Sequence, residues 1–225
     1  MRALVAIILC FSFLVLPAKA QEPPKYVALT FDDGPSGRFT RHLLDGLAER
    51  DAKATFLLCG YRMEQYPELV IRMLEEGHEI GIHGFSHDCM GKMNRQTLED
   101  ELTRCQKLLP EQYTPVFLRP PGGIISNTVK KTAAEAGLAI LSWSVDPKDW
   151  ATGKAGAVEA AVLNKVQDGD VILLHDMSDS SVEAALKIVD VLQERDFVFI
   201  TASELAALRH ITPEPGIQYA RFAPH

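Results

Sequence analysis

In the stretch TFDDGP two carboxylates, Asp32 and Asp33, stand side by side at the end of an apolar run. Like charges on adjacent residues repel, so both ionise comfortably only with a proton or a positive group close by. Further along, EIGIHGFSH sets His83 and His87 four residues apart, a spacing that can turn two imidazoles toward one point. Imidazoles suit zinc and its neighbours, and a carboxylate can complete the ligand set. Asp33 would be that carboxylate. A His-His-Asp site would hold a dication, whose charge steadies the second aspartate as an anion.

Three further stretches carry polar residues that a plain core would not ask for. LRPPGG ends an apolar run in Arg119 and then stiffens the chain. Either this is an ordinary rigid turn with a surface arginine, or Arg119 orients an acidic catalytic group while the turn aims a backbone N–H at a reaction centre. WSVDPKDW, with Asp146, reads equally as a strand end between two core aromatics. VILLHD, with His175, reads equally as a buried strand and a capping histidine.

These residues need elements to position them, and the pattern of apolar runs supplies them. Strands are predicted over 27–31, 54–58, 79–82, 116–118, 139–145, 171–174 and 198–200, with helices over 41–50, 67–76, 95–109, 128–136, 155–167, 181–194 and 203–209. Gly77 and Gly137 stop helices, and Ser126 or Asn127 and Ser203 are the expected N-caps. Strict alternation of this kind predicts parallel strands within a layer of helices, closed as a barrel or opened as a doubly wound sheet. Asp32, Asp33, His83, His87, Arg119, Asp146 and His175 all follow the C-terminal ends of strands. In a parallel barrel those ends share one mouth, where such folds place their active sites. Residues 211–225 read as a loose or docked tail.

Met1-Arg2, the apolar run to Leu16 and Ala18-Lys19-Ala20 predict a signal peptide over residues 1–20, cleaved after Ala20. The expected mature domain is 21–225, secreted or periplasmic and with no membrane span. The leader carries Arg2 and Lys19 and no acid, so its removal takes the net charge from −7 to −9. So acidic a body argues against a nucleic-acid partner. Three cysteines remain: Cys105 falls on an apolar helix face, and Cys59 and Cys89 are either bridged or free. No Cys-x-x-Cys is present, so neither a thiolate zinc site nor a redox motif is expected.

Taken in order, TFDDGP, HGFSH, RPP, DPKDW and LLH resemble the five motifs of the polysaccharide deacetylases, the NodB-homology family of carbohydrate esterases. The resemblance runs from about Val27 to His175. It implies an α/β fold, an irregular seven-stranded barrel related to the (β/α)8 type, and metal-dependent hydrolysis of N-acetyl groups on peptidoglycan or chitin-type glycans. It implies Asp32 as general base, Asp33, His83 and His87 as metal ligands, and His175 as general acid. Arg119 and Asp146 match the groups that orient base and acid, Leu173 an acetyl-pocket wall and Trp150 the groove aromatic. Zinc is the expected ion, with cobalt or nickel as alternatives. A Gly122 N–H is the expected oxyanion donor.

Two departures from the family pattern stand out. Gly84 replaces the usual Ser or Thr after the first histidine, removing a hydroxyl that would brace the loop. Gly122 replaces the usual Tyr or Phe after the two prolines, removing a side chain from the glycan site. The same chemistry would serve O-acetyl xylan or a small amide. A binding protein without catalysis would have lost one of the motif residues, and all are present. Glycosidase acids flank a sugar ring, a separation that adjacent aspartates on one turn do not provide.

Overall fold

The computed structural model describes residues 23–224, so the leader expected over 1–20 and its cleavage point lie outside the described residues. The first half of the chain gives β1 Lys25–Asp32, α1 Arg38–Glu49, β2 Ala54–Leu58, α2 Gly60–Gln65, α3 Pro67–Glu75, β3 Glu79–Ile82 and α4 Arg95–Gln106. Then follow β4 Phe117–Leu118, α5 Asn127–Glu135, β5 Ala139–Leu141, α6 Asp149–Thr152 and α7 Ala155–Leu163. The last part holds β6 Val171–His175, α8 Asp179–Gln193, β7 Phe197–Phe199, α9 Ala202–Leu208 and β8 Gln218–Tyr219. The named strands pair in parallel in the order β6-β1-β2-β3-β4-β5-β8, with β7 against the first residues of β1. Beyond β5 the chain crosses to the other edge, where Val145 bridges Ile172 of β6. The sheet of β1–β7 is therefore curled into a partly closed barrel rather than opened as a doubly wound sheet.

Side chains along a strand alternate between its two faces, and the core divides accordingly. Leu29 and Phe31 of β1, Phe56 and Leu58 of β2, Ile80 and Ile82 of β3, and Ile172 and Leu174 of β6 belong to one large cluster with the buried faces of the helices. The intervening residues Ala28, Leu57, Phe117, Leu141 and Val171 form a second cluster with Ala202, Leu205 and Phe222. That second cluster fills the barrel interior at its N-terminal end. Asp32, His83, Arg119, Leu173 and His175 share its parity on their strands, so they face the interior at the opposite, C-terminal end. Burial on both faces explains why β1 and β2 read as continuous apolar runs.

Several elements differ from expectation. The strand foreseen over 139–145 stops at Leu141, because the Arg119 guanidinium takes the carbonyls of Leu141 and Ser142 that a continuing ladder would use. The tail is docked: β8 pairs β5, and Phe222 is wholly buried. Ser126 caps α5 as expected, but the cap of α9 is Thr201 in a reciprocal box with Glu204. Ser203 instead hydrogen-bonds the buried Glu79 carboxylate. Cys59, Cys89 and Cys105 are free thiols, so Cys59 and Cys89 are not bridged.

Candidate active site

At the mouth of the barrel Asp33 Oδ1 lies 2.9 Å from His87 Nε2 and 3.2 Å from His83 Nε2. One ligand atom from each of the three residues falls within 4.8 Å of the others. Asp33 Oδ1 is buried, yet neither imidazole makes an aligned hydrogen bond to it. Short contacts without hydrogen-bond geometry are what three ligand atoms gathered around a common point give, so the donor set fits a divalent ion. Burial pushes the Asp33 carboxyl up, but the nearness and charge of the two histidines outweigh it and hold it well below the ordinary carboxylate range. His83 is oriented from behind. Its Nδ1 lies 2.6 Å from the Arg119 carbonyl, an acceptor, so Nδ1 carries the proton and Nε2 keeps its lone pair for the site. Asp33 and His87 both have left-handed backbone, at φ 73 and 67, a conformation that costs non-glycine residues roughly 1–2 kcal/mol and gathers at functional sites.

Asp32 is held separately from that cluster. Arg119, wholly buried, donates from Nη1 to Asp32 Oδ1 at 2.6 Å and to Thr30 Oγ1 at 2.9 Å, while Nε and Nη2 go to the carbonyls of β5 and Ser142. The guanidinium is thus satisfied on every side, which a buried charge requires. Each of the two adjacent carboxylates thus has its own nitrogen partners: Asp33 faces two imidazoles and Asp32 an arginine.

His175 completes the mouth, and its partner corrects an expectation. Asp149 Oδ2 accepts the His175 backbone N–H and Asp149 Oδ1 lies against Nδ1, both at 2.8 Å. Asp146 has no part in this; its Oδ1 accepts the N–H of Lys148, which has left-handed backbone. That turn aims the first residue of α6 back into the barrel, so Asp149 is buried while the next residue, Trp150, is 69% exposed. The family resemblance assigns the role of orienting His175 to Asp146, the first acid of DPKDW, which directly follows an apolar run. The better signal was an acid followed at once by an aromatic, at the start of a helical turn.

With Nδ1–H engaged by Asp149, Nε2 is the His175 nitrogen left to serve the cleft. Burial opposes protonation of His175, but the hydrogen bond and charge of Asp149, with Asp32 and Asp33 beyond, outweigh it and raise its pKa. Asp176, not singled out in the sequence, is wholly buried beside it. Its carboxylate takes the Thr40 hydroxyl and its carbonyl the Ser36 hydroxyl, tying the loop after β1 to the end of β6. Burial raises its pKa to about 6.

The cleft of about 410 Å³ is lined by Asp32, Asp33, His83, His87 and His175 together with Gly122, Trp143, Asp146, Trp150 and Leu173. Trp143, another residue missed in the sequence, has the Arg119 guanidinium 5.6 Å from its ring. Gly122 has φ 67, and a Cβ there would have no neighbour within 4 Å. The missing aromatic therefore leaves open space, and any replacement would meet backbone strain rather than a clash. A larger hollow of about 540 Å³ brings Lys25, Asp168 and Arg195 together with Pro24 and Phe197. It holds none of the motif residues, so chemistry rather than size selects the cleft.

Comparison with known proteins agrees with this geometry. The chain is 38% identical over 192 residues to a peptidoglycan-N-acetylglucosamine deacetylase of Bacillus cereus, covering 83% of this chain and 90% of that one. It is 36% identical to a chitooligosaccharide deacetylase of Sinorhizobium fredii, covering 76% and 87%. Other relatives are longer: the chain spans 42% of a Listeria monocytogenes peptidoglycan deacetylase. Among solved structures, a family 4 acetyl xylan esterase from Clostridium thermocellum, in complex with a cobalt ion, superposes with a TM-score of 0.82 at 32% identity, covering 88% of this chain and 98% of that one. The polysaccharide deacetylase family model matches residues 19–141, more than half of the chain, and with the motifs converging on one mouth the chain belongs to the polysaccharide deacetylase family.

Proposed function

We propose that this protein hydrolyses N-acetyl groups on N-acetylglucosamine units of peptidoglycan or a chitin-type glycan, releasing acetate and a free amino sugar. The observation that carries this reading is the convergence of Asp33, His83 and His87 beside an Asp32 held by a buried arginine, with His175 across the same cleft. A zinc ion held by Asp33, His83 and His87 would polarise the acetyl carbonyl and lower the pKa of a water. Asp32, fixed by Arg119, takes the proton from that water as general base. The Gly122 N–H serves as oxyanion donor. His175, its imidazole steadied by Asp149, gives a proton from Nε2 to the departing amine, and Trp143, Trp150 and Leu173 wall the acetyl and sugar sites.

The leader read over residues 1–20 supports work outside the cytoplasm, secreted or periplasmic, where such glycans lie. Among the described residues no helix is long and apolar enough to cross a membrane. The likeness to an acetyl xylan esterase favours one second reading, O-acetyl xylan as substrate. Acetate release from peptidoglycan, chitooligosaccharides and acetylated xylan, each with and without chelator, separates the two. Chelator-sensitive release from the N-acetylated glycans is expected, and release from xylan alone would replace the first reading with the second.

A further inference from the structure

The loop that carries both histidines is gripped from one side by α4, a helix that contributes nothing to the cleft. Glu101 of α4 is 7% exposed, and its Oε2 accepts two consecutive backbone N–H groups, from Phe85 at 2.7 Å and Ser86 at 2.9 Å. One turn on, the Arg104 guanidinium lies 3.3 Å from the centre of the Phe85 ring. On the other flank the Gly84 and Phe85 carbonyls accept N–H groups from Gly60 and Tyr61 at 2.9 and 3.1 Å. The peptide groups joining Gly84 to Phe85 and Phe85 to Ser86 are thus each fixed at both carbonyl and N–H, and His87 follows directly in its left-handed conformation.

We propose that Glu101 is a positioning residue of the metal centre: its carboxylate locks the 84–87 loop so that His87 Nε2 meets Asp33 and His83. This supplies what Gly84 cannot. Gly84 has φ 84, and a Cβ there would stand 3.3 Å from Glu101 Oε2. A side chain at 84 would therefore be strained and pressed against the carboxylate, so the hydroxyl expected at that position is replaced by an acid from a neighbouring helix. A carboxylate that accepts two N–H groups makes charge-assisted bonds, stronger than a neutral hydroxyl would give. Groups of this kind behind a ligand tune metal affinity without touching the ion.

The inference rests on the metal-centre reading, and one titration separates the two. Zn2+ affinity is measured by competition with a chromophoric chelator for wild type, Glu101→Ala, Glu101→Gln, His87→Ala and the Glu101→Ala/His87→Ala pair, with thermal melts of each metal-free protein. Glu101→Ala is expected to bind Zn2+ about 10- to 100-fold more weakly, while Glu101→Gln, which keeps an acceptor oxygen, stays close to wild type. In the His87→Ala background the Glu101→Ala change should cost no further affinity, since residues acting through one another are not additive. Should Glu101→Ala not fold, Glu101→Asp, which draws the acceptor back by one methylene, carries the same expected loss. Wild-type affinity in the variant, an equal loss in both backgrounds, or a Gln variant as weak as Ala overturns the role of Glu101. A wild type that binds no Zn2+ overturns the metal centre with it.

Discussion

At the scale of single residues, the two carboxylates of DPKDW separate cause from coincidence. Asp149 holds the His175 imidazole by Nδ1 and helps to raise its pKa, whereas Asp146 only closes its own turn. In its proposed role as general acid His175 must be protonated to act, so activity is expected to fall as pH rises through its pKa. Asp149→Asn removes a raising influence, so the basic limb of the kcat/KM profile should move to lower pH and turnover should drop by about 10²-fold or more. Asp146→Asn keeps the oxygen that takes the Lys148 N–H and should leave that limb in place. A shift caused by Asp146→Asn and not by Asp149→Asn would restore the assignment read from the sequence. Asp33, His83, His87 and Asp32 were legible because their residue types are costly to place together without a reason. Trp143, Asp176 and Glu101 were not, because each works through a contact between distant segments of chain that no local pattern records.

At the scale of elements, apolar periodicity located all seven expected strands, since β1, β2 and β6 are buried on both faces and read as unbroken runs. It overran β5, because what ends that strand is the Arg119 guanidinium, a group from another strand competing for its carbonyls. It also passed over β8, whose two residues, Gln218–Tyr219, have no apolar signature of their own. The tail matters nonetheless. Phe222 packs among Ala28, Phe117, Leu141 and Val171, and Arg221 pairs with Asp170 at the foot of β6. The tail thereby fills the gap between β5 and β6 at the end opposite the cleft. Phe222→Ala should destabilise the fold by about 3–5 kcal/mol in denaturant titration while leaving Zn2+ affinity unchanged. An unchanged unfolding midpoint would mean that the tail merely rests on the barrel.

At the scale of the whole molecule, the barrel assigns its two ends different work. One end of the interior is filled with apolar side chains and sealed by α9 and the tail. The other gathers Asp32, Asp33, His83 and His175 into one mouth, with Arg119 behind Asp32, from the C-terminal ends of four strands, β1, β3, β4 and β6. Because each strand delivers alternate residues inward, the same parity that buries Ala28 and Val171 presents Asp32 and His175, so core and catalysis are written on one face of the sheet. The central claim is that Asp33, His83 and His87 hold an ion at which Asp32, not itself a ligand, performs base chemistry. It is tested most directly by measuring bound metal and acetate release together for wild type, His83→Ala and Asp32→Asn on an N-acetylated glycan. The expected result is one ion per chain and acetate from the wild type, neither from His83→Ala, and a bound ion with no acetate from Asp32→Asn. Metal retained in His83→Ala, or turnover retained in Asp32→Asn, would contradict it.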